Sequence, residues 1–170
     1  MTVDAARSVD AQVMRSTLGR FCTGVTAVTT AIGDDVHAMT ANAFTSVSLE
    51  PPLVLVSIDH RTKMHRLLPA SARYGVSVLA SDQESTAWHF AGRPMRDPGE
   101  LFEWASGVPL VRGAIAHVGC SLYAQHEAGD HTLYLGLVEY LDSRPGDPLL
   151  FHGGGFERMV QQQLEQAWGW

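Results

Sequence analysis

Two cysteines in 170 residues, Cys22 and Cys120, are too few and too far apart for a disulfide framework or a CxxC metal knuckle, and both read as reduced, small core residues. Lysine occurs once, as Lys63, among 12 cations set against 18 acidic residues, and the net charge is -6. No basic stripe is present that would neutralise a row of phosphates, so nucleic acid is not expected as a partner. The longest apolar run, residues 53–56 with Ile58 beyond it, falls far short of the roughly 20 residues needed to span a bilayer. The N-terminal stretch lacks both a basic start and an apolar h-region, so it does not fit a secretory signal, and a cytoplasmic location is expected. GxGxxG after a first strand, GxxxxGKS/T, HExxH and GxSxG are all missing, which excludes the Rossmann and P-loop nucleotide sites. Histidine pairs occur at His60 and His65 and at His126 and His131, five apart in each case. That spacing matches neither a helix face nor a strand face, so no metal site is expected.

What is present suits one folded domain: 45% hydrophobic residues supply a core, and 18% charged residues are too few for disorder. Val9, Val13, Met14, Leu18 and Phe21 recur at helical spacing and predict an N-terminal amphipathic helix. The period then changes. Residues 25–31, rich in Val and Thr, the turn Gly33-Asp34-Asp35 and residues 36–40 predict a β-hairpin. Residues 53–58 and 74–79 read as buried strands, with a short helix between them capped by Thr62, carrying Met64, Leu67 and Leu68, and closed by Pro69. A second helix is expected over 82–91, capped by Ser81 or Asp82. Residues 114–125 and 131–141 predict two long strands around a turn at Glu127-Ala128-Gly129-Asp130. A short strand over 149–152 and a helix over 156–170, ending in Trp168 and Trp170, complete the pattern. Many short strands with antiparallel-type turns and few helices argue for a mainly β fold, a barrel decorated by helices, and against a doubly wound parallel sheet.

The densest polar cluster is MTANAFTSVS at residues 39–48, which runs through Glu50-Pro51-Pro52 into a buried strand. Hydroxyls and an amide beside a core strand need partners. They are met either by an ordinary Ser/Thr/Asn loop bonding its own backbone or by a heterocycle with donor and acceptor edges.

Phe21-x-Thr23-Gly24-Val25 followed by MTANAFTSVSLEPPLV over 39–54 resembles the short-chain flavin reductase family, the NAD(P)H:flavin oxidoreductase components of two-component monooxygenases. The likeness continues through YGVSVL over 74–79, Gln83, His89-Phe90-Ala91, Gly129-Asp130-His131 and Pro148-Leu149-Leu150-Phe151. It spans residues 14–160, the core of a single domain over 1–170, with 1–10 and 162–170 as loose ends. The resemblance implies an FMN-binding split β-barrel of Greek-key type, a homodimer, and a flavin groove near the subunit interface. It implies that Met39, Thr40, Ala41, Asn42, Ala43, Thr45 and Ser46 line the isoalloxazine and ribityl chain. Ser57, His60, Arg61, Thr62 and Lys63 would hold the phosphate, Phe90 and Ala91 would touch the flavin, and His131 would face the nicotinamide. Each also has a plainer reading: a solvated basic turn for 60–63, a core aromatic for Phe90, an ordinary strand-start histidine for His131. The implied cofactors are FMN or FAD, with NADH or NADPH as hydride donor, and the implied partner is a flavin-dependent oxygenase. The rivals are a non-catalytic flavin- or haem-binding split barrel and an enzyme of the pyridoxamine-phosphate oxidase type. One departure stands out: Gly153-Gly154-Gly155-Phe156 occurs where the family commonly carries Gly-x-Tyr.

Overall fold

Two-residue turns organise the main sheet. In the computed structural model, which describes residues 9–159, Gly33 and Asp34 join β2 to β3 and Gly129 and Asp130 join β9 to β10. The elements run α1 (Ala11–Leu18), β1 (Thr23–Gly24), β2 (Thr26–Ile32), β3 (Asp35–Ala41), β4 (Phe44–Leu49), β5 (Pro52–Asp59), α2 (Lys63–Ser71) and β6 (Arg73–Val78). There follow α3 (Glu84–Phe90), β7 (Phe102–Ala105), β8 (Val108–Val111), β9 (Ala116–Ala128), β10 (His131–Ser143), β11 (Leu149–His152) and β12 (Gly155–Arg158). Gly33 and Gly129 take φ of +59° and +69°, which is open to glycine at no steric cost.

Seven strands form one antiparallel sheet in the order β3-β2-β6-β9-β10-β5-β4. The two edges, β3 and β4, are consecutive in the chain and are joined only by Asn42 and Ala43. The sheet therefore curls until its edges stand one short link apart without pairing, which is a split barrel. The polar cluster of the sequence lies along that seam.

Alternation decides what fills the barrel. On β5, Val54, Val56 and Ile58 point inward and meet Val28, Tyr74, Val76, Val118, Cys120 and Tyr134, while Met64 and Leu68 of α2 close one end. β10 contributes Gly136 where the interior is tight: a Cβ there would collide with the Tyr74 hydroxyl and the Cys120 Cβ. A second cluster, Val25, Ala27, Leu79, Ala87, Val111 and Leu149, packs with Phe90, Phe102, Phe151 and Phe156 outside the barrel. β2 touches both clusters, which explains why residues 25–30 are buried without interruption.

Several expectations need correction. Pro69 does not close α2; the helix continues to Ser71 and ends at Ala72 in the left-handed region. The position before α3 is Gln83, not Ser81 or Asp82, and it makes no side-chain cap. Instead Gln83 accepts from the Ala80 amide and donates to the Arg112 carbonyl. Cys22 is exposed, whereas Cys120 is buried. The sequence predicts a helix over 156–170, but residues 156–158 belong to strand β12 and Met159 is not helical; residues 160–170 lie outside the described residues. β4, with three Ser or Thr in six residues, and β8, with a proline, do not show a strand pattern, and β7 spans only four residues. Among the described residues, no helix is long and apolar enough to cross a membrane.

Candidate functional site

At the seam the sheet leaves a groove of about 1240 Å³. Its walls come from the seam link and β4 (Asn42, Ala43, Phe44, Thr45), from Leu55 and Val78 in the sheet, and from Thr23, Gly24 and Phe151 beside it. α1 adds Met14 and Leu18, with Phe21 following, and Asp130 and His131 stand at the hairpin end. A second pocket of about 200 Å³, lined by Thr40, Ala41, Trp88, Ala91 and Phe156, shares Asn42 and Phe151 with the groove. The lining is mostly apolar with a few polar groups, the usual make-up of a site for a flat heterocycle.

His131 opens β10 directly after the turn, opposite Asp59 of β5, so both lie on the face that carries Ser57 and Leu55. Its Nδ1 lies 2.7 Å from Asp130 Oδ1. The hydrogen bond from His131, reinforced by its charge, holds the Asp130 carboxyl below the usual range. An ionised carboxylate only accepts, so Nδ1 carries the proton and Nε2 is left for a ligand. Arg61 donates to both Asp59 oxygens, and that pairing depresses the Asp59 pKa.

The structure brings Thr40, Ala41, Asn42, Ala43, Thr45, Ala91 and His131 to these two cavities. The Thr40 hydroxyl donates to the Ala87 carbonyl of α3 at 2.6 Å, so it is left as an acceptor only. Ser57 stands next to the seam, its amide bonded to the Ala43 carbonyl at 3.1 Å. Ser46 lies on β4 opposite Val54 and is exposed. Met39 and Phe90 do not line either cavity: the half-buried Met39 side chain packs against the barrel core, and Phe90 packs in the outer cluster, stacked on Phe102 at 5.7 Å. The stretch 60–63 divides. Arg61 stays by Asp59 on the groove side; Thr62 caps α2, accepting from the His65 amide and donating to the Asp59 carbonyl; Lys63 leans to Asp35 at 3.9 Å. His60 turns to the opposite face of β10 and meets Thr132 and Glu127.

Thr23, Phe151 and Phe156 on the small sheet β1-β11-β12, and Trp88 on α3, also line the cavities without being named as site residues by the sequence; that sheet closes against the barrel and brings Phe156 onto Trp88 at 4.8 Å. Thr23 supplies a direct test of the site's chemistry: its hydroxyl oxygen is buried without a hydrogen-bond partner while the residue lines the groove. An orphan of that kind asks for a polar ligand atom. With apolar walls on Phe44, Leu55 and Phe151 and the seam backbone at Asn42 and Ala43, these residues fit a flavin.

Residues 18–159 match the family described as flavin reductase like domain. This chain belongs to that family. Over 159 residues it is 50% identical to an NADH-dependent flavin reductase of a Rhodococcus species, covering 92% of this chain and 90% of that protein. Over 154 residues it is 37% identical to the reductase component of 4-hydroxyphenylacetate 3-monooxygenase from Thermus thermophilus, covering 88% and 97%. Among solved structures, flavin reductase PheA2 in its native state aligns with a TM-score of 0.86 at 41% identity, covering 90% of this chain and 100% of that one. As a flavin reductase family member, the chain has its seam, its Gly129-Asp130-His131 turn and its second pocket within the matched residues.

Proposed function

We propose that this chain is an NADH-dependent flavin reductase that supplies reduced flavin to a separate oxygenase. The observation that carries the reading is the seam groove, which joins the 42–43 link to the Asp130–His131 pair in one cavity. When bound, flavin supplies the hydride acceptor and reduced nicotinamide the donor, so the chain needs no strong acid or base of its own. Its residues bind and orient. Phe44, Leu55 and Phe151 give flat apolar contact, and the backbone N–H groups of residues 40–43 are the donors for the polar edge of the ring. Thr23 donates its orphan hydroxyl. His131, fixed by Asp130 through Nδ1, presents Nε2 to the polar group of the nicotinamide and serves as a positioning residue. Arg61 and the N-terminal turn of α2, where Thr62 is the cap, supply positive potential for the flavin phosphate. FMN and FAD share that phosphate.

The homodimer belongs to the same proposal. Val9, Val13, Met14, Leu18 and Phe21 form one apolar face that is more than half exposed, and three of them line the groove, so a second copy seated there would complete its wall. Light scattering that returns twice the mass of one chain supports it, and a single chain mass at micromolar concentration contradicts it.

The test of the activity is direct. Reduced nicotinamide, followed by its near-ultraviolet absorbance, disappears when FMN or FAD is added with the protein, and a chelator has no effect. No oxidation in the presence of either flavin overturns the reading.

A further inference from the structure

Histidines five apart suit no regular element, yet His60 and His65 meet in space. His60 follows β5, the chain turns at Thr62, and His65 sits in the first turn of α2, so the turn folds the two imidazoles together with ring centroids 4.7 Å apart. Glu127, at the end of β9, stands opposite Thr132 in the hairpin register and reaches the same point. His60 Nε2 lies 3.1 Å from Glu127 Oε2. The ligand atoms of His60, His65 and Glu127 all fall within 4.8 Å of one another.

Thr132 stands at the centre of the three. Its hydroxyl is 3.0 Å from His60 Nε2, 3.1 Å from His65 Nε2 and 3.2 Å from Glu127 Oε1. The carboxylate only accepts, so the Thr132 proton goes to Glu127 and both imidazoles donate from Nε2. Two imidazole nitrogens and a carboxylate oxygen so arranged make the donor set of a three-ligand zinc site with its fourth position open. Binding requires each imidazole to move its proton to Nδ1, turn the Nε2 lone pair to the ion and draw in with Glu127 from their present spacing of up to 4.8 Å.

The geometry points to a binding site for one divalent transition-metal ion, zinc foremost, formed by His60, His65 and Glu127 with Thr132 beside it. The site is separate from the seam groove, because Thr132 and His131 are neighbours on β10 whose side chains leave opposite faces of the strand. Softness and geometry favour zinc, cobalt or nickel over magnesium and calcium, which prefer oxygen ligands.

The experiment uses the untagged chain, free of flavin and nucleotide, titrated with Zn²⁺ by calorimetry and with Co²⁺ by visible absorption. One equivalent should bind, with the intense visible bands of low-coordinate Co²⁺. His65→Gln and Glu127→Gln should each weaken binding at least tenfold, while His126→Gln, in the neighbouring pair of the same spacing, should leave it unchanged. Circular dichroism checks that each variant is folded, and Glu127, 73% exposed, gives a variant whose folding is not at risk. Absent binding, unchanged binding in Glu127→Gln, or loss on His126→Gln would overturn the site.

Discussion

The Tyr134 hydroxyl donates to the His65 carbonyl at 3.0 Å, in the helix turn where Pro69, four residues on, has no N–H to give. A strand in the barrel thus satisfies the carbonyl that the proline leaves open, and α2 runs past it to Ser71. Tyr134→Phe should cost about 1–3 kcal/mol, the usual penalty for an unsatisfied buried group. The urea midpoint measures it. In a Pro69→Ala background the helix supplies its own donor, so the same change should cost less; equal costs in both backgrounds would assign the loss to packing alone.

His131→Ala should weaken the use of NADH by about 1–3 kcal/mol in kcat/KM, the scale of one lost polar contact. Flavin affinity should stay within a few-fold. Asp130→Asn should move the same parameter less, because it only loosens the ring. Loss of flavin binding with hydride transfer intact at saturating flavin would assign His131 to the flavin instead.

Arg61→Gln should raise the KM for FMN several-fold and leave riboflavin, which has no phosphate, nearly unchanged. Equal changes for both flavins would mean that the guanidinium serves only to anchor Asp59.

Asp59 makes stability depend on pH in a definite direction. Hydrogen bonds from Arg61 hold its folded pKa below that of the unfolded chain, about 3.9. The unfolded state therefore takes up the proton first as pH falls, and the stabilisation present above about pH 4 is lost on the acid side. Unfolding midpoints followed from about pH 5 to about pH 3 should fall less steeply in Asp59→Asn than in the parent chain.

Hydrophobic period made much of this fold readable. The β2–β3 hairpin, the β9–β10 hairpin and the Thr62 cap follow from residues next to one another, and local chemistry sets each of them. β4 was hidden because an edge strand with one exposed face needs few apolar residues, and its Ser and Thr resemble a loop. The seam residues Asn42 and Ala43 stood out for composition, but their place between two sheet edges depends on the whole strand order. Met39 and Phe90 sit next to cavity-lining residues, with side chains packed against the cores, a matter of strand and helix phase that motif matching does not resolve. Five-residue spacing does not show that His60 and His65 stand side by side, because the pattern assumes a single regular element and a capped turn lies between them.

If flavin binds and is reduced in the groove at the Asn42–Ala43 seam, filling that groove removes both. Ala43 is exposed and lines that groove, so a large side chain there fills it without touching either core. Titration of FMN fluorescence against the parent chain and Ala43→Trp, with circular dichroism to confirm folding, measures occupancy of the seam itself. A folded Ala43→Trp protein should bind flavin at least tenfold more weakly, with flavin-dependent NADH oxidation falling in step. A folded Ala43→Trp chain that binds FMN like the parent would contradict binding at the seam.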